Sequence, residues 1–261
     1  EYEKFILLIG CGANGKSVLL HVLTMLIGTK QVAAVQPAHL DNQFQRGHLC
    51  GKLANIVTEI KEGSEIADAT LKAITSGELM TAEHKFKKPF EFNPFATCWF
   101  GANHMPQTRD FSNALFRRAL IVEFNREFQE HEQDRQLKKK LVDELPGILN
   151  MILKTFASVI QRGQFTIPAS CERAKEEWRL EADQVAQFIK DCCEIKRDGC
   201  VETNLLYAHY KSWAENAGIS KVLNKIMFSK RLQRQGVKRG RNAHARFMEG
   251  IQLKDLTQEE E

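Results

Sequence analysis

Residues 10–17 read Gly10-Cys11-Gly12-Ala13-Asn14-Gly15-Lys16-Ser17 and follow directly on Phe5–Ile9, a short, wholly apolar, partly β-branched run. Such a run is the pattern of a parallel strand buried on both faces. Downstream, Val18, Leu19, Val22, Leu23 and Leu26 recur at helical spacing. Strand, glycine-rich turn and helix, in that order, form the setting in which an eight-position loop ending in Gly-Lys-Ser cradles phosphate. The glycines let the backbone wrap closely around phosphate oxygens, and successive amides at the helix N-terminus stabilise their charge. Lys16 is expected to reach the β- and γ-phosphates of ATP and Ser17 to ligate Mg²⁺. Gly10, Cys11, Gly12, Ala13, Asn14, Gly15 and Val18 complete the expected binding loop.

Working outward, Leu53–Ile60 (LANIVTEI) is a second strand-like run, and Phe95–Ala102 (FATCWFGA) a third that ends at Asn103. Between them Asp68 is placed to cap a short helix with Leu71 and Ile74 inward and Gly77 just past its end. Leu79–Phe92 alternates poorly and is rich in Lys, with Pro89 tolerable on an exposed edge, so a projecting β-hairpin is expected. Strands alternating with helices imply an α/β fold with a central, mainly parallel sheet covered on both faces. From about Glu127 the composition turns helical. Pro146, in a first turn, opens a helix with Leu149, Ile152, Phe156 and Ile160 on one face and Gly163 at its end. The expected divisions are an ATPase at 1–126, a helical lid or linker at 127–182, a small basic domain at 183–254 and an acidic tail at 255–261.

The 261 residues are 43% hydrophobic and 27% charged, a balance that excludes disorder and fibre and leaves room for one large and one small domain. No apolar stretch approaches the roughly 20 residues that span a bilayer, and no signal-like segment precedes them, so a membrane partner and secretion are not expected. Seven cysteines in no framework spacing point to reduced thiols and a cytoplasmic setting. Cys192, Cys193, Cys200 and His209 lack tetrahedral zinc spacing. The first residue is Glu rather than Met, as in a piece cut from something longer.

A phosphate loop alone does not separate kinases, GTPases and mechanical ATPases. Glu59, near the end of the second strand, could orient or deprotonate an attacking water, and Asn103 could hydrogen-bond that water or the γ-phosphate. Arg117 and Arg118 precede a further apolar run. Either could be an arginine finger supplied across a subunit boundary, or the two could be a surface pair holding carboxylates.

The ordered set GCGANGKS, NIVTEI, LKAITSGELMTAEHKFKKPFEFNPFATCWFGANHMP and RDFSNALFRRALIVEF resembles the superfamily 3 helicases, specifically the helicase half of phage and plasmid primases and their poxvirus relatives. The likeness runs from about Phe5 to Phe124, with an AAA+-like P-loop fold implied. It makes Glu59 the Walker B acid, a metal ligand with Ser17, Asn103 the first sensor and Arg118 the finger. Lys85 and Phe86 align with a hairpin tip that enters a hexameric ring and grips one DNA strand, and Lys87 beside them is a further expected DNA contact. A 3′ to 5′ polarity, and a primase in an N-terminal part outside this sequence, follow from the resemblance only. Thr58 stands where many relatives carry a first acidic residue. The hairpin also makes physical sense alone, since lysines beside an aromatic are the usual ingredients of single-strand binding.

Net charge is only +4, yet nine Lys or Arg and no acid lie between Lys221 and Arg246. Thr203 is expected to cap a helix carrying Leu206, Tyr207, Tyr210 and Trp213, the aromatics as core. A second helix near Asn224–Gln235 turns Phe228 and Leu232 inward and leaves Lys225, Arg231 and Arg234 outward. VKRGR and RFMEGIQL then suggest a wing. Helix, helix and wing form a winged-helix pattern, with Lys230, Arg231, Arg234, Lys238 and Arg239 as expected DNA contacts. The sum is an ATP-dependent DNA helicase acting as a homo-oligomeric ring on single-stranded or forked DNA. The alternatives are an ATP-regulated DNA-binding initiator that does not unwind, and a P-loop kinase.

Overall fold

The computed structural model describes residues 2–108, 110, 112–219, 222–241 and 245–254. The tail expected at 255–261 lies outside them, as does most of the turn inside the expected wing. The chain falls into two compact units, Glu1–Arg179 and Leu180–Glu261.

The first unit contains β1 (Phe5–Ile9), α1 (Lys16–Ile27), β2 (Val32–Ala33), α2 (Gln43–Arg46), β3 (Ala54–Val57), α3 (Asp68–Ser76), β4 (Met80–Ala82) and β5 (Phe90–Phe92). There follow β6 (Thr97–Ala102), α4 (Asn113–Phe116), β7 (Ala119–Glu123), α5 (Leu137–Asp143), α6 (Leu145–Arg162) and most of α7 (Ala169–Ala182). Five strands pair in the order β2-β3-β6-β1-β7, every pairing parallel. Phe5, Ile6, Leu7 and Leu8 are all buried, because β1 has a strand on either side and cover on both faces; this is why its sequence does not alternate. Leu20 of α1 packs with Ile6, Leu8, Ala54 and Ile56 on one of those faces. Ile9 lies beside Ala102 in the ladder, so the loop after β1 and the residue after β6 leave the same edge of the sheet side by side.

Several expectations are corrected. The second strand covers only Ala54–Val57 and the third begins at Thr97, so Glu59 stands two residues past its strand rather than within it. Asp68 is the first residue of α3, after Ala67 at the cap, and its carboxylate instead accepts from the Thr108 hydroxyl at 2.6 Å and the Asp110 N–H at 3.0 Å. Gly77 does close α3 in the left-handed region. On α6, Leu149, Ile152, Phe156 and Ile160 are each between 38% and 55% exposed, and only Val159 of the helix is buried. Apolar spacing selects the face of a helix, and its cover comes from elsewhere.

The second unit holds α8 (Gln184–Cys192), β8 (Cys193–Glu202), α9 (Thr203–Asn216), α10 (Lys225–Arg234), β9 (Lys238–Arg241) and β10 (Arg246–Leu253), with an antiparallel sheet ordered β8-β10-β9. Phe188, Leu206, Tyr210, Phe228, Leu232, Met248 and Ile251 form its core, where Tyr210 stacks on Phe228 at 4.4 Å between ring centres. Thr203 is the first residue of α9, not its cap; Asn224 caps α10 by accepting the Met227 N–H at 2.9 Å. The whole is α/β, a P-loop sheet followed by helices and a small winged-helix-like unit.

Candidate active site

The loop at 10–15 is held open by backbone conformations that few residues adopt. Ala13 and Gly15 have φ of 53° and 91°. A side chain at position 10 would put its Cβ 2.4 Å from the Phe124 carbonyl oxygen, so only glycine fits there. Asn14 staples the loop, its amide donating to the carbonyls of Cys11 and, at 3.3 Å, Phe124. The Phe128 N–H donates to Ala13 at 3.0 Å. Gly15 then caps the 12-residue helix α1, whose first-turn amides are the donors an anion would use.

Lys16 is buried. Its ammonium donates to the carbonyl of Gly10, to Asn14 Oδ1 at 3.2 Å, to Cys11 O at 3.3 Å and to Asn103 Oδ1 at 3.4 Å. Burial lowers its pKa, against the opposing influence of Cys11 and of the Glu59 carboxylate. A cation lodged among carbonyls at a helix N-terminus, behind a left-handed turn, fits a nucleoside polyphosphate.

Glu59 is exposed, and its main chain is fixed on both sides. Gln36 donates to its carbonyl at 3.1 Å, and the next N–H, of Ile60, reaches Gly101 at 2.8 Å. Gly101 has no room for a side chain because the Thr58 carbonyl would lie 2.4 Å from its Cβ. Sequence reasoning missed Gln36, Phe128 and the Asp68 network; no spacing links them to the loop. Lys16, Asn103 and Glu59 therefore share one edge. Ser17 is exposed in the first turn of α1 and makes no recorded contact with Glu59 among the described residues.

The arginine pair requires a correction. Arg118, expected to face a neighbour, is turned inward with a side chain only 9% exposed. It donates to Ala114 O at 2.8 Å and Ser76 Oγ at 2.7 Å, and pairs with Glu3 at 2.8 Å. Arg117, which ends the short helix α4, is 59% exposed, with Glu3 3.3 Å away.

The hairpin β4–β5 projects as expected. The Lys87 N–H closes its tip onto His84 O at 2.9 Å, and Phe86 takes a φ of 65° with 94% of its surface exposed. The Lys85 ammonium lies 5.3 Å from the centre of that ring, and Lys85 and Lys87 are both exposed. Arg46 of α2 braces the base, donating to Thr81 O at 2.7 and 3.0 Å.

In the second unit Lys230, Arg234, Lys238 and Arg239 are exposed. Arg231 is not outward: it is mostly buried and lies 3.5 Å from the Asp183 carboxylate. Position 231 falls three residues after the inward Phe228, on the same face of the helix.

Comparison with known proteins adds independent observations. Residues 8–118 match a model described as "Family of unknown function (DUF5906)", and residues 180–248 match one described as "Poxvirus D5 protein-like". The protein named "Putative helicase L207/L206" of Acanthamoeba polyphaga mimivirus is 25% identical over 213 residues, which are 72% of this chain and 22% of that protein. The chain is thus similar, over most of its length, to a viral protein named as a putative helicase. Two apo structures of the NrS-1 C-terminal region share its fold, with TM-scores of 0.54 and 0.51 at 16% identity. They cover 95% and 97% of this chain and 66% and 68% of theirs. The chain spans about a fifth of the length of that mimivirus protein. No described helix is long and apolar enough to cross a membrane.

Proposed function

We propose that this chain is the ATP-hydrolysing helicase part of a replicative primase-helicase, unwinding DNA as a ring. The observation that carries the reading is the shared sheet edge on which the Lys16 ammonium meets Asn103, with Glu59 close enough to influence the lysine's proton affinity. A kinase would need an acceptor pocket beside that edge; this chain instead carries a lysine-tipped hairpin within the same unit.

In this reading the loop amides and Lys16 bind the β- and γ-phosphates and Glu59 takes a proton from the attacking water. Asn103 orients that water or the transferring phosphoryl group. Ser17 and Glu59 would hold Mg²⁺, which when bound neutralises phosphate charge; Thr58 adds no second carboxylate there. The finger that completes a neighbour's site is Arg117, since Arg118 is committed within its own protomer. A head-to-tail interface of that kind closes into a ring, with six subunits by family likeness. The tip of Lys85, Phe86 and Lys87 grips one strand inside it.

ATPase rate measured against protein concentration, with and without single-stranded DNA, tests the reading. A cooperative rise that DNA steepens is expected. Concentration-independent hydrolysis, indifferent to DNA, would end it. Strand displacement on a forked duplex separates unwinding from loading alone.

A further inference from the structure

Between the first turns of α10 and the β9–β10 wing runs a groove of about 460 Å³, lined by Lys225, Ile226, Ser229, Arg239, Arg241 and Arg246, among others. Among the described residues no acidic side chain lines it. Among the described residues no carboxylate lies within ion-pair distance of Arg239, Arg241 or Arg246. Lys225 is steadied by donating to the Asn204 side chain. Arg241 and Arg246 are direct cross-strand partners in the antiparallel ladder, and Arg239 faces the buried Met248 two positions along. Two arginines opposite one another repel, and such a pair costs the sheet stability. An anion between them removes that repulsion.

We infer that this groove, rather than the outer edge of α10 marked by Lys230 and Arg234, is where the second unit holds a nucleic-acid backbone, with phosphodiester oxygens shared by Arg241, Arg246, Arg239 and Lys225. The inference rests on the reading of this chain as a DNA-acting protein; it keeps Arg239 among the contacts and adds Arg241, Arg246 and Lys225, which that reading did not use. Arg241 and Arg246 carry the contact together because the ladder fixes their spacing. The guanidinium fork suits paired phosphate oxygens, and lysine in its place would offer only a point charge. Ser229, buried at the floor, has a hydroxyl to donate, and exposed Ile226 offers sugar edges an apolar wall.

Fluorescence anisotropy across a salt series, with a short mixed-sequence duplex and with one of its strands alone, compares the full chain with Arg241→Ala/Arg246→Ala and with Lys230→Ala/Arg234→Ala. Losing two phosphate contacts lowers the slope of log affinity against log salt by about 2 on duplex. The wing variant is expected to show that loss and to melt no lower than the parent, because a repelling pair has been removed. A loss on duplex alone assigns the groove to double-stranded backbone, and a loss on both probes to backbone in either form. Unchanged affinity and slope in the wing variant overturns the inference, whatever the other variant does. So does a lowered melting temperature with binding retained, which would make the arginines structural. ATPase without DNA, recorded in parallel, stays at the parent value in the wing variant. Absence of hydrolysis from every protein, with the groove effect intact, would instead sink the helicase reading.

Discussion

The side chains of Lys16 and Asn103 meet at 3.4 Å although 87 residues separate them in the chain. The contact exists because β1 and β6 are parallel neighbours in register at Ile9 and Ala102, so residues just past two strand ends converge. Lys16→Ala is expected to lose nucleotide binding and turnover together. Asn103→Ala should keep its affinity for ATP and lose about 10²-fold in kcat, the usual cost of removing one group aimed at developing charge. Separate nucleotide-binding and steady-state measurements check both; equal loss of affinity in the Asn103 variant would make it a ground-state contact.

The buried ammonium also predicts a pH effect on stability. Burial puts the folded pKa of Lys16 below its ordinary value of 10.5. Between the two values the unfolded chain binds more protons, so stability rises with pH there, and below the lower value the full cost of a buried cation is present. Lys16→Met removes that cost. Calorimetry at pH 7 should find the variant melting above the parent, the gap narrowing as pH approaches 10.5. A variant melting lower at pH 7 would mean that the carbonyl contacts outweigh desolvation.

What the sequence made legible follows from how strongly each element is constrained. Phe5–Ile9 and the loop after it were readable because a doubly covered strand must be apolar throughout and a phosphate turn must be glycine-rich. β8 was not, since Cys193–Glu202 is charged and mostly exposed, and its pairing with β10 is a long-range choice that leaves no local periodicity. The inward turn of Arg118 was equally hidden. Its partners Glu3, Ser76 and Ala114 come from three separate segments, and two adjacent arginines look alike until the fold supplies them. The basic run at 221–246 announced a polyanion, while the facing of Arg241 and Arg246 needed the ladder register.

Arg117 and Arg118 are therefore expected to fail in different ways. Arg118→Ala strands Ser76 and Ala114 and leaves a hole beside Glu3, costing about 2 kcal/mol of stability by loss of charge-assisted hydrogen bonds. Arg117→Ala, at an exposed position, should melt with the parent yet reduce hydrolysis by about 10³-fold in the assembled state, as loss of a finger does. Chemical denaturation paired with ATPase assays at high protein concentration distinguishes them. Normal turnover in the Arg117 variant would remove it from the site.

The hairpin offers the sharpest separation of function from fold. Phe86 is 94% exposed and adopts a left-handed backbone that a non-glycine residue holds only when its surroundings impose it. Arg46 and the bond from Lys87 to His84 do so here, bracing the base and closing the tip. Apart from the exposed contact of Lys85 with the Phe86 ring, the tip side chains have no partner among the described residues, so Phe86→Ala, Lys85→Ala and Lys87→Ala should each leave stability within about 0.5 kcal/mol of the parent. Each lysine lost should lower the salt slope of single-strand affinity by about 0.7. Loss of the ring should weaken binding by about 1–3 kcal/mol if one base stacks on it. ATPase without DNA should be untouched, while stimulation by single-stranded DNA falls with the affinity. Intact stimulation in all three variants would leave the projection as a solvated edge, and the strand would have to pass elsewhere.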